Sequence, residues 1–572
     1  MGVRISFSLP AAEQSIVDAL VERATSEQWA ERLFAGDTSL WTTDPAVAAD
    51  IADRLGWLRS PAHFTEQIAA LEGFGDGIRD AGFDTAVVMG MGGSSLAPDV
   101  LRRTFGSTEG YPSLRILDST DPANVAAVMD DLDPLETLWI VASKSGTTTE
   151  PLAFQAAAWA KVEAALEERK ADQQPGEFFA VITDPGKSQE AIPHHDDLRE
   201  EFLNPPDIGG RYSAISYVGL VPAAIIGLDL DSLLAAANAE LAESQEPDAR
   251  HNGPLLLGLM IGGLARNGRD KLTFLMDPAI ESFGAWLEQL IAESTGKLGT
   301  GIVPVDLEPH RPAGEYGADR MFAAISVAGS GDATVAAAAD ALARAGQPVV
   351  RIELDDPVDL AAEMVGWELA TAIAGAVLEI NPFDQPNVEE AKQLTRKVLA
   401  GAGDGAGGDA AATPEGDGGI LIRAHDADSL AELIHPTLAA LQPNNYLAIQ
   451  AFIAPSPGVD EAIAGLRRAL AATGCATTAG YGPRFLHSTG QLHKGGPPTG
   501  VFLQLTSDHP VDREIPDWPY TFGRLIDAQA HGDREALKSH DRPVIHVHLG
   551  ANLVDDLKTV ERAIGRALAK ED

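Results

Sequence analysis

Cysteine is almost absent from this chain: Cys475 is the only one among 572 residues. A lone thiol excludes an intramolecular disulfide and a cluster of cysteine metal ligands. Positive charge is scarce too. Lysine and arginine number 42 against 84 aspartates and glutamates, a formal charge of −42. So acidic a surface repels phosphate backbones and anionic lipids, which argues against nucleic acid or membrane as partner. It fits a heavily hydrated surface, salt-adapted or simply very soluble. No run approaches the ~20 consecutive apolar residues of a membrane span. The opening residues, MGVRISFSLPAAEQ, lack a signal-peptide core. Met1-Gly2 with Ser6 meets only the short myristoylation pattern. The expected compartment is the cytoplasm.

What is present points to a large globular protein. Hydrophobic residues make up 45%, enough for extensive buried cores. Residues 1–75 read as a helical segment, with Asp44-Pro45 and Ser60-Pro61 as helix starts. From residue 76 the pattern becomes α/β. Short apolar runs at 85–89, 114–118, 138–143 and 178–184 alternate with helical stretches to about residue 250. The helix after the first run is expected to begin near Ala97-Pro98. A second series fills 251–400, with strands expected at 271–277, 301–306, 322–329 and 349–354, then helices at about 357–379 and 386–400. Such alternation implies two doubly wound parallel sheets. Residues 401–419, rich in Gly, Ala and Asp, read as a flexible linker. Residues 420–572 read as a C-terminal α/β lobe with strands at 420–424, 446–454, 501–506 and 543–549.

Two loops carry candidate chemistry. Gly90-Met-Gly-Gly-Ser-Ser95, with Gly93 and Ser94 at its centre, lies between a strand and a helix, where free N–H groups favour an anion. Taken alone it can also be an ordinary tight turn. Ser143-Lys144-Ser145-Gly-Thr147-Thr148-Thr-Glu150 places five hydroxyls and one ammonium after another strand. A helix cap needs one hydroxyl, so the surplus favours phosphate. Only twelve lysines occur, and Lys144, Lys297, Lys392 and Lys494 all fall in Gly- or Ser-rich motifs.

The Ser143–Glu150 loop resembles the phosphate loop of SIS domains, the sugar-isomerase fold. Four further segments are similar to the glucose-6-phosphate isomerase family: Gly209-Gly-Arg211-Tyr-Ser213, Gln289-Leu-Ile-Ala-Glu293-Ser-Thr-Gly-Lys297, Gln385-Pro-Asn-Val-Glu-Glu-Ala-Lys392 and His487-Ser-Thr-Gly-Gln491. The nearest likeness is to the isomerase half of bacterial transaldolase–isomerase fusions, without a transaldolase portion. The resemblance makes 76–250 and 251–400 two SIS domains. It implies a cofactor-free, metal-free isomerase acting on glucose 6-phosphate and fructose 6-phosphate, and a homodimer in which a neighbouring subunit lends a histidine. Related readings are an isomerase of different or dual specificity, such as for mannose 6-phosphate, and a non-catalytic SIS sensor of sugar phosphate.

The resemblance assigns Glu293 as the base that moves a proton between adjacent carbons, and Arg211 as stabiliser of the enediolate. Gln289 and Glu293, four apart, share a helix face. Gln385 and Lys392, seven apart, lie two helical turns from each other. Lys392 and a histidine would open the sugar ring, and imidazole suits that proton relay. His487 is the candidate, but it follows the Gln385–Lys392 motif, whereas the family's histidine precedes it. At the family's position, Gly314–Arg320 has no histidine and His310 is the nearest upstream. Either the C-terminal lobe supplies His487 in a rearranged order or the role has shifted, with His493 and Lys494 as local competitors. His546 and His548 alternate on one strand face but suggest no third metal ligand. His194-His195 carries no assigned role, and Cys475 reads as a buried small residue.

Overall fold

A computed structural model describes residues 2–400, 422–423 and 426–570. The 401–419 linker lies outside the described residues. In chain order the strands are β1 Val3–Ser8, β2 Thr85–Gly90, β3 Ser113–Leu117, β4 Thr137–Ala142, β5 Phe179–Thr183, β6 Glu200–Leu203, β7 Lys271–Met276, β8 Val303–Val305, β9 Arg320–Val327, β10 Val349–Leu354, β11 Ile422–Arg423, β12 Tyr446–Phe452, β13 Ala476–Tyr481, β14 Gly500–Ser507 and β15 Val544–Leu549. They form three five-stranded sheets with orders β3-β2-β4-β5-β6, β1-β10-β9-β7-β8 and β11-β15-β14-β12-β13. All pairings are parallel except β1 with β10. β2, β4 and β5 are buried at every position, the signature of parallel strands covered on both faces.

Three strands escape the sequence pattern. β1 corrects the expectation of a purely helical start: it pairs antiparallel along β10 from Val3↔Leu354 to Ser8↔Val349. It is half-exposed and short, so it shows no apolar run. β6 is four residues of an edge, two of them glutamate. β13, ATTAGY, is built of small residues. A fourth correction concerns the helix after β2, which spans Gly93–Phe105 and keeps Pro98 inside it. Pro98 is the sixth residue of that helix, past the first turn, so it costs one backbone bond.

One helix passes a membrane-span test on composition. The segment Pro357–Leu378 is long and apolar enough by composition to cross a membrane, yet every residue of Leu360–Leu378 is buried inside the protein. It is the central core helix, packed against the helices Gly253–Arg266 and Leu230–Glu243.

The C-terminal lobe is joined to the second sheet through buried charge. Glu308 accepts from Arg320 at 2.8 and 2.9 Å, from Arg311 at 2.8 Å and from the Thr477 N–H at 2.9 Å. Burial pushes the Glu308 carboxyl up, but Arg320, then Arg311, outweigh it and hold it below the usual range. Arg467 of the lobe donates to the Asp306 and Leu307 carbonyls, both at 2.8 Å. Removing one partner of such a buried network costs roughly 3–5 kcal/mol. The Gly314–Arg320 stretch thus serves this junction, through Arg320 and through Tyr316, whose ring lies 5.0 Å from the Arg311 guanidinium.

A different buried carboxyl works against the fold at high pH. Glu363, on the core helix, borders a cavity of about 200 Å3 that Glu240, Glu243 and the exposed His251 also line. Burial lifts Glu363 to about 8, with the Glu240 charge adding to it; Glu240 is itself lifted to about 7 by burial and Glu243. Asp359 adds to the same field. The folded protein therefore keeps protons that the unfolded chain releases above its ordinary value of 4.5. Stability must fall as pH rises from there towards 8. Glu363→Gln is expected to stabilise by on the order of 3 kcal/mol at about pH 8.5 and to change little near pH 4. Urea unfolding of both proteins at the two pH values checks this; an effect independent of pH would exclude a proton held on Glu363.

Candidate functional site

The site lies at the carboxyl ends of the first sheet, where open parallel sheets bind ligands. β2 ends in the Gly92–Gly93 turn. A Cβ on Gly92 would meet the His487 carbonyl oxygen at 2.6 Å and Gln289 Nε2 at 2.7 Å. One on Gly93 would meet the Gly210 carbonyl oxygen at 2.0 Å. Gly92 also has φ of 56°, so backbone crowding and conformation both demand glycine. The turn lets three separate motifs touch.

A cavity of about 260 Å3 opens beside this turn. Ser145, Thr147 and Thr148 form one wall, Lys392 and Arg396 another, and His487, Glu150 and Gln529 meet between them. Ser145 and Thr147 are exposed, their hydroxyls 3.1 Å apart. Ser143 is buried beneath the loop. Lys144 is not part of the lining: its ammonium pairs with Asp184 and donates to the Pro206 carbonyl at 3.1 Å. Ser94 is half-buried in the first turn of its helix.

His487 sits in the short turn Arg484–His487 of the C-terminal lobe. Arg484 anchors that turn to the first sheet, with Nε 3.3 Å from Asp118 and Nη2 3.8 Å from Asp99. His487 Nε2 lies 3.2 Å from Glu150 Oε1. The same oxygen accepts from Gln529 Nε2 at 2.6 Å, and Thr120 donates to Gln529 Oε1 at 2.7 Å. Burial raises the Glu150 carboxyl, but the neighbouring His487 outweighs it, with help from Lys392, and the net shift is downward. Glu150 is therefore an anion above the usual carboxylate range. All these contacts occur within one chain.

Glu293, on the helix Phe283–Thr295, forms an adjoining buried cluster. Gln289 Nε2 donates to Glu293 Oε2 at 3.1 Å and to the His487 carbonyl at 2.7 Å. Arg211 Nη1 stands 3.5 Å from Glu293 Oε1. The rest of the guanidinium is engaged: Nε with Ser294 at 2.7 Å, Nη1 with Gln385 Oε1 at 3.0 Å, and Nη2 with the Pro382 and Asp384 carbonyls at 2.7 and 3.0 Å. Lys297 is buried beside it and donates to Asn381 O, Asp384 O and Asp384 Oδ1 at 2.5–2.8 Å. Burial, then the Arg211 charge, pushes the Lys297 ammonium down to about 8.

Of the residues singled out in the sequence, Ser145, Thr147, Thr148, Lys392 and His487 line the cavity, while Gly93, Arg211, Gln289, Glu293 and Gln385 lie in the cluster behind it. Sequence reasoning missed Glu150 as a partner of His487, although it closes the hydroxyl motif. It also missed Tyr520 and Gln529, which carry no motif at all. The competitors turn inward: His493 is buried against Gln450, and Lys494 pairs with Asp533 at 2.7 Å. Burial pushes the His493 imidazole well below its usual value. His546 and His548 both bond Thr506 Oγ1 at 2.9 Å, and His548 reaches Asp508. His194 stacks on Trp159, His195 lies beside Asp196, His310 is exposed and Cys475 is buried. Among the described residues no group of three or more His, Cys, Asp or Glu is arranged to hold a metal ion.

Glu150→Gln replaces an acceptor facing the imidazole with an amide that can donate. Turnover is expected to fall on the order of 10–100-fold with substrate affinity nearly kept. Steady-state kinetics on the full chain reads this; a rise in KM alone would show that Glu150 shapes binding, not the histidine.

Comparison with known proteins bears on this geometry. The family model for phosphoglucose isomerase matches residues 23–303. The glucose-6-phosphate isomerase of Rubrobacter xylanophilus is 32% identical over 401 residues, 61% of this chain and 90% of that protein. That of Thermus thermophilus is 30% identical over 396 residues, with the same coverages. Among solved structures, a hypothetical protein from Thermus thermophilus superposes with a TM-score of 0.55 at 27% identity, covering 69% of this chain and 100% of that one. A glucose-6-phosphate isomerase from Chlamydia trachomatis shares the fold with a TM-score of 0.56 at 21% identity, over 71% of this chain and 89% of that one.

Proposed function

The chain belongs to the glucose-6-phosphate isomerase family, and from that premise we propose that it interconverts glucose 6-phosphate and fructose 6-phosphate by ring opening and enediol proton transfer. The observation that carries this reading is the junction of two groups. The His487–Glu150 pair and Lys392 face a hydroxyl-lined cavity, and Glu293 is linked to the same turn through Gln289.

On this reading the phosphate is received by the hydroxyls of Ser145, Thr147 and Thr148, with the Gly93–Ser94 helix start nearby. Hydroxyls and free N–H groups suit a phosphate in a chain with few cations. Ring opening breaks the bond between the anomeric carbon and the ring oxygen. One proton leaves the anomeric hydroxyl and one arrives on the ring oxygen. His487 and Lys392 flank the cavity for that exchange, with the Glu150 carboxylate orienting the imidazole. Glu293 then takes the proton from C2 of the open aldose and returns it to C1, while the hydroxyl proton on O2 passes to O1, giving the ketose. Arg211, through its Nη1 edge beside Glu293, stabilises the negative charge on the intervening enediolate. Gln289 orients Glu293 through a single hydrogen bond. Because His487 reaches Glu150 within one chain, a single chain supplies every group in this scheme.

Glu293→Gln is expected to abolish turnover, by at least about 10³-fold, while binding of substrate stays within a few-fold. A coupled assay with fructose 6-phosphate, together with calorimetric binding, tests this. Retained turnover would remove Glu293 as the base; binding with no turnover in the native chain would favour a sensor. His487→Ala is expected to slow cyclic substrate far more than an open-chain analogue. Equal slowing of both would remove His487 from ring opening.

A further inference from the structure

The last member of the motif His487–Gln491 has no part in the reaction scheme. Gln491 is fully buried in the short helix Gly490–Gly495. Its Oε1 accepts from the Asn387 N–H at 2.8 Å. Its Nε2 donates to Asn387 Oδ1 at 2.8 Å and to the Gly296 carbonyl at 2.8 Å. Asn387 immediately precedes the helix Val388–Ala400, which carries Lys392. Gly296 caps the C-terminus of the helix that carries Glu293. Gln491 itself lies four residues after His487. One amide thus binds the ends of all three segments that hold the proposed proton-transfer groups.

The packing around it leaves no slack. A Cβ on Gly495 would stand 2.4 Å from Asn387 Oδ1, 2.7 Å from Gln491 Nε2 and 2.8 Å from the Gly296 carbonyl oxygen. A Cβ on Gly296 would stand 2.4 Å from Leu492 Cα. The helix bearing Gln491 is fixed from the lobe side by Arg542, which donates to the His493, Lys494 and Gly496 carbonyls at 2.7–3.1 Å. Only an amide supplies what this point needs. It offers one acceptor for a backbone N–H and two donors for two oxygens.

We propose that Gln491 is a positioning residue that fixes the Lys392 helix against the Glu293 helix and the His487 turn, so that ring opening and proton transfer share one geometry. This rests on the reading under Proposed function. The side chain acts through Asn387 and Gly296; it is fully buried and does not line the cavity.

The test uses the full chain with Gln491→Met, which removes all three bonds at similar volume, and Gln491→Glu, which keeps the acceptor but loses the donors. For Gln491→Met, kcat is expected to drop at least about 10-fold with KM within about threefold, as for a misplaced catalytic group. Gln491→Glu should be equally poor near pH 8. It should recover at least about fivefold relative to native enzyme as pH falls towards 5.5, because a protonated carboxyl regains one donor and burial raises its pKa. Hydrogen exchange supplies a readout independent of turnover. Amides of Val388–Ala400 should exchange at least about 10-fold faster in Gln491→Met, while the middle of the Glu293 helix is unchanged. Both variants within twofold of native at every pH would overturn the proposal. So would a Gln491→Glu to native ratio that is flat with pH, or exchange that rises equally everywhere. Asn387→Ala, which loses only one of the bonds, covers a Gln491 variant that fails to fold; it should show a smaller loss of kcat with the same local exchange, and native behaviour would count against the role. If the native chain does not isomerise hexose phosphate while the exchange change at Val388–Ala400 remains, the functional reading fails and the positioning role stands.

Discussion

The turn from Asn381 to Asn387 is the constraint on which the rest of the site depends. Two buried cations end on it: Arg211 on the Pro382 and Asp384 carbonyls, Lys297 on the Asn381 and Asp384 carbonyls. Charges removed from water need dipoles or counter-charges in return. Here backbone carbonyls supply most of that return. Among the described residues, the carboxylate bonded to Lys297 is that of Asp384, which is itself exposed. The incomplete compensation shows in Lys297, held down to about 8. Because both cations come from segments next to Glu293 or in contact with it, the turn cannot shift without exposing one of them. The start of the Lys392 helix is thereby tied to the Glu293 helix through electrostatics more than through apolar packing.

The same economy runs through the molecule. With twice as many acidic as basic residues, several buried arginines are placed at junctions. Arg320 and Arg311 meet on Glu308, Arg467 spans β13 and the Asp306–Leu307 backbone, and Arg484 lies between Asp118 and Asp99. Each of these four arginines lies where the C-terminal lobe meets the body. Most other acids are left to water, where their charge costs little. Glu363 is an exception, a buried carboxyl pushed up to about 8 by burial and the neighbouring Glu240 charge.

Much of this architecture was legible from sequence because parallel strands covered on both faces leave unbroken apolar runs. β2, β4, β5 and β12 carry such runs. β1, β6 and β13 do not, because an edge strand needs no such run and β13 is packed with small side chains. The site was legible where chemistry concentrates in neighbouring residues: the hydroxyl loop, and Gln289 with Glu293 on one helix face. It was illegible where partners are distant along the chain. Glu150 and His487 stand 337 residues apart and Gln529 and Glu150 stand 379 apart. No local spacing marks such pairs. The long helix Leu360–Leu378 marks another limit: composition alone cannot tell a core helix from a membrane-spanning one, and burial makes this one a core helix.

The two carboxylates of the site make the division of labour concrete. Glu150 shares one oxygen between an imidazole and an amide, in a buried position that leaves it one geometry. That suits a group whose task is to orient another. Glu293 is held differently. Gln289 donates to it at 3.1 Å, and Arg211 approaches no nearer than 3.5 Å, beyond the range of a good charge-assisted bond. A base that must serve two adjacent carbons has to move slightly between them, and a carboxylate clamped by a bidentate arginine would resist. Directing Arg211 onto Ser294, Gln385 and the 381–387 turn keeps its charge close while leaving Glu293 that freedom. On the proposed reading, the arginine's many structural bonds and the glutamate's few are therefore one arrangement: the cation is fixed so that the base can move.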